Sequence, residues 1–160
     1  MKSYKKSKRS SSSLFKRTAL SLAVLTAIHT GAAQANPNGA QVVSGQVGIT
    51  QIPGMTTITN SPGAIINWQN FSIAQGEVTK FIQQSSQSAV LNRVIGSNAS
   101  QIMGQLISNG HVFLINPNGI LFGAGSMIDT QGFMASTLSI SDQDFQSGNY
   151  HFIAGSGAGN

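Results

Sequence analysis

The sequence predicts an all-β fold, and three observations carry that prediction. Seventeen of the eighteen glycines lie beyond residue 35, spaced along the chain rather than clustered. Polar positions are filled by Asn, Gln, Ser and Thr, where helices favour Glu, Lys and Arg. Short apolar or alternating runs recur, each bounded by Gly, Asn, Pro, Ser or Asp, as strands between turns require.

In chain order the expected strands are 40–43, 47–52, 56–59, 64–68, 71–73, 78–82, 89–95, 105–107, 111–115, 120–122, 126–128, 133–136 and 137–140. One segment, 98–105 (Asn-Ala-Ser-Gln-Ile-Met-Gly-Gln), reads instead as a helical turn with Ser100 as its cap. The plainest corner separates Val112-Phe113-Leu114-Ile115 from Ile120-Leu121-Phe122. There Pro117 presets φ, Asn118 tolerates bridge or left-handed backbone, and Gly119 supplies positive φ without steric cost. Such a corner suits a hairpin and equally a bend in a coiling strand. From about Ala89 onward the strands are too short for independent hairpins but suit a solenoid whose rungs stack. Uncharged Asn, Ser and Thr can align between rungs without like-charge repulsion. No strict repeat period is visible, so the residue pattern alone leaves a β-sandwich beside the solenoid.

The first thirty-five residues are of another kind. Lys2, Lys5, Lys6, Lys8, Arg9, Lys16 and Arg17 precede an uncharged apolar stretch over 18–30, followed by Ala33-Gln34-Ala35. Basic, apolar and small-x-small segments in that order describe a secretory signal peptide cleaved after Ala35, with Ala33 and Ala35 as the cleavage signal. The apolar stretch is shorter than the roughly 20 residues that span a bilayer. Removing residues 1–35 leaves Lys80 and Arg93 against Glu77, Asp129, Asp142 and Asp144, so the formal charge changes from +5 to 2 − 4 = −2. Two scattered cations cannot neutralise the phosphates that nucleic-acid binding requires. The absence of cysteine means that packing and backbone hydrogen bonds, rather than disulfides, must hold a secreted domain together.

Little chemistry is offered. His29 belongs to the leader, and His111 and His151 lack neighbouring acids or cysteines at ligand spacing, so no metal site is expected. No serine sits in a Gly-x-Ser-x-Gly elbow, and Gly155-Ser156-Gly157 reads as linker. Asp142-Gln143-Asp144 reads as a turn or helix start after Ser141 rather than a calcium loop. Four acids and two cations in 125 residues leave little for the clustered carboxylates of a β-helix polysaccharide lyase or hydrolase, the enzyme alternative. No catalytic residue and no cofactor are assigned. Asn70-Phe71-Ser72 and Asn98-Ala99-Ser100 match a glycosylation sequon, as chance allows in so Asn- and Ser-rich a chain. A second Asn-Pro-Asn-Gly stands at 36–39 without an assigned role.

An ordered set of motifs goes further. Asn67-Trp68-Gln69-Asn70-Phe71-Ser72-Ile73, Asn92-Arg93-Val94 and Ile102-Met103-Gly104-Gln105-Leu106 are followed by Asn109-Gly110, Val112 to Ile120, and Gly132-Phe133-x-Ala135-Ser136-Thr137. The series closely resembles the two-partner secretion domain of filamentous haemagglutinin-like adhesins and haemolysins of Gram-negative bacteria. That resemblance covers almost all of 36–160. It implies a right-handed parallel β-helix with an N-terminal β cap, and a secretion signal recognised by the POTRA domains of a partner outer-membrane transporter. It implies passage through the inner-membrane general secretion machinery, export from the cell, and host-surface or glycan binding through downstream regions. The family's Asn-Pro-Asn-Gly-Ile signature maps onto Asn116, Pro117, Asn118, Gly119 and Ile120. Its Asn-Pro-Asn-Leu signature is not present as such; Asn98-Ala99-Ser100 occupies a similar region without the proline, leaving Asn98 as a further candidate. Family members run longer, so the segment reads as the N-terminal part of a larger exoprotein, with a solenoid incomplete at its C-terminal end.

Overall fold

Glycine- and asparagine-bounded segments of three to six residues become the walls of a coil. The computed structural model describes residues 36–154; the leader with Ala33 and Ala35, and the 155–159 glycine-rich tract, lie outside them. The strands are β1 (Gln41–Ser44), β2 (Val47–Ile52), β3 (Met55–Asn60), β4 (Ala64–Trp68), β5 (Val78–Gln83), β6 (Ala89–Val94), β7 (Ser100–Ile102), β8 (Gln105–Ser108), β9 (His111–Ile115), β10 (Ile120–Phe122), β11 (Met127–Asp129) and β12 (Gly132–Ser136), followed by helix α1 (Asp142–Gln146).

Three sheets result, ordered β1-β4-β6-β9-β12, β2-β3-β5-β8-β11, and β7-β10. Within each, the successive rungs pair in parallel, with Ile73 adding a bridge to Ile102 in the third. This is a β-solenoid of about four turns, each turn visiting the three sheets in the same order. The sandwich alternative is thereby set aside. Between β9 and β10 the chain turns from one sheet into another, so Asn116–Gly119 is a bend in a coiling strand and not a hairpin. The N-terminal end is closed differently: β1 lies antiparallel on β4 and β2 antiparallel on β3.

Inside the coil, side chains stack rung on rung. Ala64, Val90, Val112 and Phe133 stand in register, as do Ile66, Asn92, Leu114 and Ala135. Burying each large apolar side chain contributes about 1.5–3 kcal/mol. Trp68 and Phe71 meet edge to face at 5.6 Å, and Phe71 stacks with Phe81 at 6.5 Å. One amide enters this core: Asn92, fully buried, accepts from Trp68 Nε1 at 3.0 Å and donates to the Phe113 carbonyl at 3.2 Å. Both halves of its carboxamide are satisfied, which makes its burial tolerable.

A second apolar cluster lies outside the coil. Ile65, Leu91, Phe113 and Ile115 face away from the interior and are covered by Ile140, Phe145 and Phe152. Helix α1 supplies part of that cover. Ser141 caps it by accepting from the Asp144 backbone N–H, as expected for a helix start at this point. Arg93 fixes the cover by donating to the Ile140 carbonyl at 2.8 Å and to Asp142 Oδ1 at 2.9 Å.

Three expected elements differ. Ser100–Ile102 is strand β7, not a helical turn. Ser100 and Ile102 point inward and Gln101 outward, so pairing with β10 decides a segment whose local preference was weak. Phe71–Ile73 contributes only the bridge at Ile73, although Phe71 and Ile73 both enter the core. Residues 137–140 leave the coil to form the outer cover, where Ser139 bridges Ile153 antiparallel.

Candidate functional site

One corner of the solenoid gathers Asn38, Asn116 and Asn118 of the two Asn-Pro-Asn-Gly segments. It is the corner at which the chain leaves the β4-β6-β9 sheet, and it carries Asn70 on the first rung, Asn98 on the second and Asn116 on the third. Their side chains form a vertical run of hydrogen bonds. Asn70 Nδ2 donates to Asn38 Oδ1 at 3.4 Å, and Asn98 Nδ2 donates to Asn70 Oδ1 at 3.1 Å. Asn116 Nδ2 continues it, donating to the Asn98 carbonyl at 3.0 Å and to Ser100 Oγ at 2.9 Å. An amide offers both a donor and an acceptor, so identical residues stack without repulsion; a carboxylate or an ammonium cannot do this.

The third-rung corner is built by its own four residues. Asn116 is fully buried, and its Oδ1 accepts from the Asn118 backbone N–H at 2.9 Å, closing an Asx turn. Gly119 N donates to the Asn116 carbonyl at 3.0 Å, and Gly119 adopts φ +107°, the positive value expected of it. Asn118 keeps a negative φ and uses its side chain instead: Nδ2 reaches the Gly96 carbonyl at 2.8 Å and Asn116 Oδ1 at 3.1 Å. Pro117 lies exposed at the tip, while Ile120 opens β10 in register with Ser100 and packs against the core.

The first Asn-Pro-Asn-Gly lies at the other end of the same run. Asn36 is buried, the Pro37 carbonyl accepts from Gln51 Nε2 at 2.9 Å, and Asn38 bridges Asn70 antiparallel. Gly39 has φ +67°, and a Cβ there would meet Gln69 Cγ. The repeated tetrapeptide therefore ties the cap to the third rung through Asn70 and Asn98. The two sequon asparagines are the middle members of this run, and Ser100 of the second sequon is buried beneath Asn116.

A second amide cluster, which the sequence reading passed over, occupies the end of the β3-β5-β8 strands. Gln83 Oε1 accepts from Asn60 Nδ2 at 3.4 Å, and Gln83 Nε2 donates to Ser108 Oγ at 3.1 Å and to the His111 carbonyl at 3.0 Å. Asn109 pairs with the Gln83 backbone in both directions at 2.8 Å. The available signal was positional: Asn60, Gln83 and Ser108 each close a strand of one sheet.

Charge is sparse around both clusters. Arg93–Asp142 is the one ion pair among the described residues. Glu77 is buried and accepts from the Ala74 backbone N–H at 2.9 Å, and Asp144 accepts from Ser141 Oγ at 2.7 Å. Among the described residues no three His, Cys, Asp or Glu side chains come together as a metal site, and no helix is long and apolar enough to cross a membrane. The fold thus defines a class: a capped, sparsely charged β-solenoid with amide-locked corners.

Comparison with known proteins makes that class specific. The family model described as TPS secretion domain matches residues 30–160. Two proteins of Haemophilus influenzae named heme/hemopexin-binding protein are similar, one 39% identical over 129 residues (78% of this chain, 14% of the relative) and one 38% identical over 145 (87% and 16%). The crystal structure of the HMW1 secretion domain from the same species is 46% identical with a TM-score of 0.71, covering 73% of this chain and 32% of that one. The chain belongs to the TPS secretion domain family. Domains of this kind belong to exoproteins secreted from Gram-negative bacteria and are recognised by an outer-membrane transporter partner. The chain thus spans about a seventh of the length of the curated relatives it matches, and the polysaccharide-enzyme reading is not favoured.

Proposed function

We propose that residues 1–35 are a signal peptide that delivers the chain to the periplasm through the inner-membrane general secretion machinery. Residues 36–160 then act as the secretion signal read by the POTRA domains of the partner transporter. Extended apolar segments such as 64–68 and 111–115 suit strand addition to a sheet edge, a recognition mode led by the backbone. Outside the cell the cap and first rungs fold first and template those that follow, which disfavours backward sliding. Within this scheme Asn116, Pro117, Asn118, Gly119 and Ile120 form the corner on which secretion competence depends, with Asn98 as its neighbour on the rung before. The observation that carries this reading is the amide run joining both Asn-Pro-Asn-Gly segments.

The curated relatives are named for haem and hemopexin binding. We assign ligand binding, adhesion to host surfaces or glycans, and haemolysis to other regions of such exoproteins. In the third-rung corner the Asn116 and Asn118 carboxamides are already bonded to one another and to Asn98, Ser100 and Gly96.

Secretion of a tagged Asn116→Ala/Asn118→Ala chain, co-expressed with the cognate transporter, tests the corner. Circular dichroism of the refolded domain runs beside it. Lost secretion with an intact β spectrum makes the corner a contact for the transporter. Loss of both makes it a folding corner, and unchanged secretion overturns the assignment.

A further inference from the structure

The chain contains three Asn-Gly pairs, at 38–39, 109–110 and 118–119, and all three lie at corners. Asn-Gly is the dipeptide most open to attack by its own backbone, since glycine has no side chain to shield the following nitrogen. In the fold, two of the pairs are held away from that reaction. Gly119 N donates to the Asn116 carbonyl, while Asn118 Nδ2 is held by the Gly96 carbonyl and Asn116 Oδ1. Gly110 N donates to Ser108 Oγ at 3.1 Å, while the Asn109 carboxamide is clamped at both ends by the Gln83 backbone. All three asparagines are exposed, and Asn38 is held by the longest bonds: its Nδ2 reaches only the Asn36 carbonyl at 3.5 Å and its Oδ1 accepts from Asn70 Nδ2 at 3.4 Å.

We propose that Asn118 and Asn109 are self-modification sites, reactive in the unfolded chain and silenced by folding, and that conversion of either prevents its corner from closing. The glycine N–H gives up its proton and the nitrogen attacks Asn Cγ. The N–Cγ bond forms, Cγ–Nδ2 breaks, and Nδ2 departs as ammonia with that proton. Water then opens the cyclic imide at either carbonyl, leaving aspartate or isoaspartate.

Either product is wrong for the site. An aspartate at 118 directs acceptor oxygens at the Gly96 carbonyl and Asn116 Oδ1, two further acceptors, where a donor had stood. At 109 the loss of Nδ2 leaves the Gln83 carbonyl without its partner. Isoaspartate adds a methylene to the backbone of a four-residue corner. The same amides that lock the coil thus carry a limit on how long the chain can stay unlocked. For a chain awaiting export unfolded, delay becomes a loss of foldable material, a consequence that rests on the route proposed above.

The test needs no transporter. The chain is incubated in urea and, separately, in native buffer at mildly alkaline pH, and the Asn-Gly pairs are mapped by tandem mass spectrometry after digestion. The urea sample is then refolded and divided by protease resistance. Conversion at Asn118 and Asn109 is expected in urea and at least about tenfold slower in buffer, where local opening must precede attack. Asn38 is expected to be the least protected of the three. Converted 118 and 109 are expected to be depleted from the protease-resistant fraction. Equal rates at 118 in both states, or an equal share of converted chains in both fractions, overturns the proposal. Asn118→Asp supplies the product directly: a refolding yield equal to the parent's also overturns it.

Discussion

The β1-β4-β6-β9-β12 and β2-β3-β5-β8-β11 sheets are wound from one coil, yet they meet the outside differently. In the first, β4 buries Ala64, Ile65, Ile66 and Trp68 alike, because the interior takes one face and the cover over 140–152 takes the other. In the second, β3 and β5 alternate: Thr56, Ile58 and Asn60 point in, Thr57 and Thr59 out, and Phe81 is buried between exposed Lys80 and Ile82. The two sequence patterns follow from this. A strand covered on both faces reads as a continuous apolar run, and one covered on a single face reads as alternation. The difference also says where substitutions should matter.

The contrast breaks most directly at Leu91, which points outward yet is fully buried beneath the cover. Leu91→Ala should cost about 2–5 kcal/mol, read by urea unfolding, as for a core leucine. A cost below about 1 kcal/mol would mean that the cover is not packed in solution. Trp68→Phe tests the inner face of the same sheet. It removes one donor and leaves Asn92 Oδ1 buried without it, for a cost of about 1–3 kcal/mol. Ser141→Ala removes the helix cap and should cost about 1 kcal/mol. Its effect should appear as faster hydrogen exchange over 140–153 before any change in the coil interior. Asp142→Asn weakens a half-exposed ion pair and should cost at most about 1 kcal/mol, less at high salt. On the bare sheet, Ile82→Thr should stay within about 0.5 kcal/mol of the parent melting curve. A larger loss there would mean that this face too is covered.

Much of this wall structure is legible in the sequence. The bounds of β2, β4, β9 and β10 coincide with the apolar runs, because Gly, Pro or Asn stands at the corners beside them. The helix start after Ser141 was equally plain. Segment 98–105 was not, since Ala-Ser-Gln has no strong local preference and only Ile73 and β10 make it a strand. Residues 137–140 look like any other strand, and only the apolar outer face of β4, β6 and β9 explains why they leave the coil. The missing repeat has a simple cause as well. In-register neighbours Met55, Val78, Gln105 and Met127 are separated by 23, 27 and 22 residues, so the corners absorb the irregularity. The amide run was visible only in part. Asn116 and Asn118 stand in a turn signature, but Asn38, Asn70 and Asn98 are partners across 28 to 32 residues, a distance at which local pattern is silent.

The antiparallel cap has a consequence in the language of polymers. A parallel coil has two unlike ends, and stacking the last rung of one molecule on the first of the next would give a head-to-tail contact that never closes. Filaments grow by that route. Here β1 and β2 reverse the strand sense at one end, and a register shift between Val42 and Ser44 disturbs the edge that β1 presents. The cap is therefore a chain terminator: its antiparallel strands do not continue the parallel rungs, and the N-terminal face offers no matching template for another copy.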